Sequence, residues 1–494
     1  MILSKEKIPD YWEIVPLGNV CLKATKVKRK EVDIEKELIY LDIGSIDNVT
    51  NRITEHKVYK WKDAPSRAQQ IVQVGDILFS TVRVYLRNIA KIDSTLYDNQ
   101  ICSSGFTVIR GYRDCCGPKY LFAIALYEGF LQPLNELQTG TSYPAVRDND
   151  VFSQLIPLPP LPEQRAIVSK IELLFSELDN GIANLKLAQE QLKVYRQAVL
   201  KKAFEGELTR KWREQQRDLP DAGTLLEQIR VEREEGKKST KPQKYKETKP
   251  FTEAELSNLP KGWGWTRLGN LVEEPKYGTS KKCDYNINGI GVLRIPNISD
   301  GLINDSDLKF AQFDYTEIEN YRLKAGDILI IRSNGSVDLV GKCALVNTKD
   351  EKHLYAGYLI RLRPISSLIN SKYLLNCLSS IDLRYQIESK AKSTSGVNNI
   401  NSGELQSLII PFCSIPEQQA IVQEIETRLS ICDKVEQDIE DNLVIAEALR
   451  QSILKKAFEG KLLNEKELAD VRMAEDWEPA EVLLERIRAE KTRK

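Results

Sequence analysis

Pro162-Glu163-Gln164-Arg165-Ala166-Ile167-Val168 opens a long run that closes on Leu200-Lys201-Lys202-Ala203-Phe204-Glu205-Gly206, and the same run occurs again. Pro416-Glu417-Gln418-Gln419-Ala420-Ile421-Val422 opens the second copy, which closes on Leu454-Lys455-Lys456-Ala457-Phe458-Glu459-Gly460. The offset is 254 residues at the start (162 to 416) and at the close (206 to 460), so the copies align without a gap. A period this long marks a duplicated half-molecule, not a solenoid of short repeats.

Each copy reads as one helix. Gly181 is the only helix breaker inside the runs, and Val435 at the matching place shows that the backbone there does not require glycine. Pro162 and Pro416 suit a first turn, Glu163 and Glu417 suit its positive end, and the Lys-Lys pairs suit the last turn before Gly206 and Gly460. Ile167, Ile171, Leu174, Leu178, Ile182, Leu185, Leu192, Tyr195 and Val199 step mostly by three and four. Ile421, Ile425, Cys432, Ile439, Leu443, Leu449 and Ile453 do much the same, interrupted by Arg428 and Glu436. The spacing predicts two rods of about 40 residues, roughly 60 Å each. A single apolar stripe needs a partner, which is either the other copy in the same chain or a second chain. The exact duplication, with a globular segment before each rod, favours the intramolecular pair.

The segments on either side repeat as well. Trp12 and Leu17-Gly18-Asn19 reappear as Trp263 and Leu268-Gly269-Asn270, and Gly75-Asp76-Ile77-Leu78 as Gly326-Asp327-Ile328-Leu329. Thr141-Ser142 matches Thr394-Ser395. Strands are expected at Leu38–Ile43, Gly75–Ser80 and Phe106–Ile109, a helix over Lys119–Gln132, and an extended, proline-stiffened approach to the first rod from Leu155 to Pro162. Short helices recur at Leu225–Arg230 and Leu483–Arg488, and a lysine-rich linker runs from Glu235 to Pro250. The expected boundaries are 1–160 and 259–414 for the globular segments, 161–208 and 415–463 for the rods, 209–258 for the short helix and linker, and 464–494 for the tail.

The chain has 494 residues, 71 Lys and Arg against 71 Asp and Glu, nine cysteines and two histidines. No apolar run suits a signal peptide or a membrane span, so a cytoplasmic protein is expected. The cysteines show no CxxC spacing, which disfavours zinc and disulfide frameworks. Zero net charge argues against a nonspecific polyanion binder and leaves room for clustered basic groups. The glycines between Gly335 and Cys343 have the wrong spacing for a P-loop, and metalloprotease, deaminase and dinucleotide signatures are missing, as is the tetrapeptide of amino-methylating DNA methyltransferases.

Polar loops follow both Gly-Asp-Ile-Leu strands, and a second pair precedes the approach to each rod. Arginine suits guanine's major-groove edge, asparagine suits adenine's, and serine and threonine serve either. The candidate DNA contacts are Lys28 and Arg29 (phosphate), Arg83, Tyr85 and Arg87, and Thr141, Ser142 and Tyr143 in the first half. In the second they are Arg332, Ser333, Asn334 and Ser336, then Thr394, Ser395, Asn398 and Asn399.

The paired Pro-Glu-Gln openings, the Lys-Lys-Ala-Phe-Glu-Gly closings, Leu259-Pro260-Lys261-Gly262-Trp263, the Gly-Asp-Ile-Leu strands and the Thr-Ser loops together resemble the specificity subunits of type I restriction-modification systems. The resemblance implies an α+β chain with two α/β target recognition domains, separated by two long antiparallel helices in a pseudo-twofold repeat. Each domain would read half of a split site in double-stranded DNA. Two methyltransferase subunits would dock on the helices, and ATP-driven restriction subunits would join them. S-adenosylmethionine, ATP and Mg²⁺ would belong to those partners, leaving this chain without a cofactor, a catalytic residue or a membrane. The competing readings are a single-chain restriction or methyltransferase enzyme with a cryptic catalytic domain, and a structural coiled coil. The first lacks room for a catalytic domain outside the repeats, and the second leaves two diverged globular segments unexplained.

Overall fold

The computed structural model describes residues 8–112, 115–140, 142–236, 259–299, 301–392 and 396–493. The chain forms two compact units, Met1–Lys186 with Glu440–Lys494, and Leu187–Ile439. The lysine-rich stretch from Lys237 to Lys249 lies outside the described residues.

In the first unit a four-stranded antiparallel sheet runs in the order Cys21–Leu22, Phe106–Gly111, Ile77–Ser80, Ile89–Lys91. A second sheet has the order Lys57–Lys60, Glu37–Leu41, Ile101–Ser103, Ala68–Ile71, and its central pair is parallel. The strand Ile77–Ser80 is buried on both faces. Ile77 and Phe79 pack towards the helices Pro118–Leu126 and Glu128–Leu137, while Leu78 packs with Leu41 and Cys102 of the other sheet. That sandwiching is why the strand reads as a continuous apolar run.

The second unit repeats the plan. Its antiparallel sheet is Lys276–Tyr277, Leu359–Leu362, Ile328–Ile331, Cys343–Leu345, and its second sheet is Lys309–Ala311, Ile290–Leu293, Leu354–Tyr355, again with one parallel pair. Ile328 and Ile330 face the helices, and Leu329 and Ile331 face the other sheet. The turns before the central strands place Gly75 at φ 95° and Gly326 at φ 92°, where a side chain would be strained.

Three expectations change. The helix over Lys119–Gln132 is two helices with a break at Tyr127, whose ring turns onto Phe458 at 5.2 Å between centroids. The approach Leu155–Leu158 is a strand, paired antiparallel with Glu13–Pro16, as Ile409–Phe412 is with Gly264–Arg267. Tyr195 and Leu449 lie on exposed faces of their rods, outside the stripe.

The rods span Leu161–Phe204 and Ile415–Phe458, 44 residues each, or about 66 Å. They pair with each other, antiparallel. In the first unit Lys170 bonds Glu467, just past the second rod, and Asp179 pairs with Arg450, which lies over Phe175. In the second unit Arg196 bridges Asp433 and Glu436, both at 2.7 Å, so the carboxylate that interrupts the stripe is neutralised by the facing rod. Each domain is held by the start of one rod and the end of the other. Phe458 meets Tyr120 and Phe204 meets Tyr373, edge to face.

The Pro-Glu-Gln openings are joints. Glu163 accepts the indole N–H of Trp12 at 3.1 Å and the hydroxyl of Tyr11 at 3.4 Å. Glu417 accepts the indole N–H of Trp263 (2.9 Å), the Thr209 hydroxyl (2.9 Å) and Arg213 Nε (2.6 Å). Gln164 donates to the carbonyls of Cys115 and Pro159 and accepts from Gly117 N–H; Gln418 does the same with Leu368, Cys413 and Asn370.

Burial raises the Glu163 carboxyl above its ordinary value of 4.5, and the bonds from Trp12 and Tyr11 pull it partly back. The folded chain therefore holds that proton more tightly than the unfolded one. The stability this contributes is full below pH 4.5 and is lost as pH rises through the folded value. Glu163→Gln keeps an acceptor for the indole and removes a desolvated charge, so its denaturation midpoint at pH 7 should equal or exceed the wild type's. Glu417→Gln removes the charge that answers the part-buried Arg213 and should lose about 3 kcal/mol in the same denaturant titration.

Candidate nucleic-acid interface

In both units the loop after the central strand meets the loop before the rod approach. Val82 bridges Ala145, Arg83 N–H donates to Pro144 O at 2.7 Å, and Val146 N–H to Thr81 O at 2.9 Å. In the second unit Ser333 pairs with Asn399 and Asn334 with Asn398, and Asn398 Nδ2 donates to Gly335 O at 3.0 Å. Ser336 N–H donates to Asn334 Oδ1 at 2.9 Å, so the Asn334 side chain shapes this turn. The structure thus joins candidates that lie some 60 residues apart in sequence. Thr141, Thr394 and Ser395 lie outside the described residues.

Both edges carry an arginine stacked on a tyrosine. The Arg83 guanidinium lies 4.8 Å from the centroid of Tyr143, an exposed ring, and donates through Nη2 to Ser142 O at 3.1 Å. The Arg332 guanidinium lies 4.7 Å from the centroid of Tyr277, and its Nε donates to Asn399 Oδ1 at 3.1 Å. Arg83 and Arg87 flank the short turn Val84–Leu86 at φ 49° and 54°, in the left-handed region that arginine rarely adopts. Strain of about 1–2 kcal/mol per residue persists because the neighbouring hydrogen bonds fix the turn.

The remaining candidates separate. Tyr85 projects into solvent. Arg87 is engaged by Glu128 at 2.5 Å and by Glu447 at 3.8 Å, so its charge is already answered. Lys28 pairs with Glu31 at 3.3 Å, and Arg29 donates to the carbonyls of Ala64 and Pro65 beside Trp61. Sequence reasoning passed over Tyr277, Tyr358 and Tyr285. Tyr277 sits on a two-residue edge strand, and only its pairing with Ile360 brings it under Arg332. Tyr285 is exposed, with Lys309 at 4.9 Å and Arg294 at 5.9 Å from its ring.

The Gly-Asp-Ile-Leu aspartates belong to the frame. Asp76 takes both Nε and Nη2 of Arg110 (2.7 and 2.6 Å) and accepts Gln73 N–H. Asp327 takes the same two donors of Arg363, both at 2.7 Å, and accepts Lys324 N–H. Among the described residues no three His, Cys, Asp or Glu side chains group as metal ligands, and no two cysteines are joined in a disulfide. No helix among them is long and apolar enough to cross a membrane.

Two mixed domains on a shared frame, each ending in a polar, arginine-bearing edge and joined to paired helices, define a duplicated recognition protein. The family model described as the type I restriction modification DNA specificity domain matches residues 9–187 and again residues 260–443. The chain belongs to that family of type I restriction-modification specificity subunits. It is 29% identical over 494 residues to the specificity subunit of the type I restriction enzyme EcoKI of Escherichia coli (strain K12), covering 99% of this chain and 97% of that protein. It is 24% identical over 493 residues to the StySPI specificity subunit of Salmonella potsdam, covering 99% and 97%. Among solved structures, it resembles a chain from work on complex assembly and conformational transition of the type I R-M system, with TM-score 0.70, 27% identity, and 92% and 99% of the two chains covered. The HsdS subunit from Thermoanaerobacter tengcongensis gives TM-score 0.56 at 27% identity, covering 92% and 98%.

Arg110 and Arg363 are mostly buried beside their aspartates, so Asp76→Ala or Asp327→Ala should lose about 3–5 kcal/mol of stability. The DNA sequence preferred by whatever protein remains folded should not change, as a methylome of the variant strain would report.

Proposed function

We propose that each globular domain reads one half of a split, asymmetric site in double-stranded DNA. The paired rods set the distance between the half-sites and seat two methyltransferase subunits, to which restriction subunits join. The observation that carries this reading is the duplicated edge. One frame, with the same strand order in its antiparallel sheet and the same Asp–Arg pair, presents different side chains in its two copies, Arg83 with Ser142 and Tyr143 against Arg332 with Asn398 and Asn399. The DNA contacts assigned to these edges, with Ser333 and Asn334 beside them, are part of the proposal. Docking of partners is supported by apolar side chains that rod pairing leaves exposed, among them Leu187 and Val194 on the first rod and Val444 and Ile445 on the second. This chain would supply recognition only. S-adenosylmethionine, ATP and Mg²⁺ would act in the partner subunits, in the cytoplasm.

Exchanging residues 1–155 for those of a relative should change one half of the methylated sequence and leave the other intact. Methylome sequencing of the host checks this, and a change in both halves contradicts the two-reader arrangement.

The rods can be tested as a ruler. One heptad added to each keeps the stripe and adds about 10 Å, or about three base-pair steps at roughly 3.4 Å per step. The half-site sequences should persist while a randomised-spacer selection returns a longer gap. Return of the original gap would leave the rods a docking role alone.

A further inference from the structure

Arg332 is held from three directions before any ligand arrives. Its backbone N–H donates to Tyr358 O at 2.9 Å, and its carbonyl accepts Ile400 N–H at 2.8 Å, which pins the main chain at the mouth of the loop. Its Nε donates to Asn399 Oδ1 at 3.1 Å, and its guanidinium lies on the Tyr277 ring. That ring is itself fixed, because Tyr277 pairs with Ile360 and its hydroxyl accepts Ser402 N–H at 3.0 Å. Among the described residues, neither terminal nitrogen of Arg332 has a hydrogen-bond partner and no carboxylate pairs with it, in contrast to Arg87, Arg110 and Arg363.

The chemistry of this arrangement is one-sided. With Nε committed and the guanidinium held over the Tyr277 ring, what remains is an edge of N–H donors. Asn399 spends its carbonyl oxygen on Arg332, which leaves its amide nitrogen as a further donor. Guanine offers two adjacent acceptors, O6 and N7, on its major-groove edge. Adenine places an amino donor beside N7, and cytosine offers an amino donor. A phosphate also accepts two donors, but it can be met from many directions and needs no preset plane. The first domain lacks the same edge, since Arg83 Nη2 is already bonded to Ser142 O.

We propose that Arg332, positioned by Tyr277 and Asn399, reads a single guanine in the half-site of the second domain; this rests on that domain being a DNA reader. The test is selection from DNA with both half-sites randomised, using the chain assembled with its partner subunits. Arg332→Ala and Arg332→Lys should each erase a guanine preference at one position of one half-site and lower affinity for the parent site about ten- to a hundredfold. The other half-site should be returned unchanged, which confirms folding and assembly. Tyr277→Phe keeps the ring but gives up the bond from Ser402, so it should weaken the preference less than Tyr277→Leu, which removes the ring with charge unaltered.

A 7-deazaguanine at that position removes the N7 acceptor and should cost the wild type affinity while leaving Arg332→Ala unaffected. Where Arg332→Ala fails to assemble, 7-deazaguanine placed in turn at each guanine of the site on the wild-type complex decides, and unchanged affinity at every one overturns the proposal. Uniform weakening across all sequences, restored by Arg332→Lys, also overturns it. That result assigns a phosphate contact and leaves the domain a DNA reader. Unchanged selection and affinity in every Arg332 variant overturns both the guanine contact and DNA reading by this edge.

Discussion

A buried carboxylate accepting an indole N–H seats each long helix on its domain, and the remaining architecture depends on that joint. Apolar packing alone would let a rod rotate or slide, because dispersion is indifferent to small changes of register. The bond from Trp12 to Glu163, or from Trp263 to Glu417, has one rotation in which it can form. Gln164 and Gln418 complete the joint by pairing with the backbone groups beside them, so those carbonyls and N–H groups are buried with partners. The closing Phe458 or Phe204 then meets a tyrosine on a domain helix, Tyr120 or Tyr373, whose hydroxyl is anchored on the strand approaching the rod, at Pro157 O or Pro411 O.

The two joints reach the same geometry with different electrostatics. Glu417 has the Arg213 guanidinium at 2.6 Å, drawn from the segment that follows the first rod. Glu163 has neutral donors only, with Arg472 placed over the Tyr11 ring at 5.0 Å, and its carboxyl is raised by burial. The difference follows from what each helix tail brings. Behind each rod a short helix returns to the domain's leading segment, with Ala222 N–H on Gly262 O at 3.0 Å and Ala480 N–H on Tyr11 O at 3.3 Å. Tyr11 stands where the second copy has Gly262, and it fills the space on the carboxylate that Arg213 takes in the other unit.

The rods, their caps and the duplicated frame were readable because each rests on local chemistry repeated in sequence: helical spacing, a proline first turn, a glycine stop. The break at Tyr127 was not, since it answers a tertiary demand, the packing of that ring on Phe458. Glu436 looked like a flaw in the stripe until Arg196 of the facing rod appeared beside it. The candidate edge was readable in part. Polar loops after the central strands announced Arg83 and Arg332, but nothing near Tyr277 in sequence indicates that a two-residue strand carries it under Arg332. Conversely, Arg87 reads as a free cation in sequence and proves to be tied to Glu128.

These energetics account for where the two copies have diverged. Each Asp–Arg pair at the central strand is desolvated and bidentate, so changing either partner alone leaves a buried charge, at about 3–5 kcal/mol. Such a loss approaches the whole margin of a typical domain, so single steps away from the pair are closed. The edge is different. Ser142, Tyr143, Ser336 and Val397 face solvent, where substitutions usually shift stability by about 0.5 kcal/mol or less. Drift is therefore channelled into the exposed edge, and away from the joints that hold the rods. A frame of stiff buried pairs carrying an edge of cheap exposed ones is what allows one fold, duplicated in a single chain, to present two different surfaces.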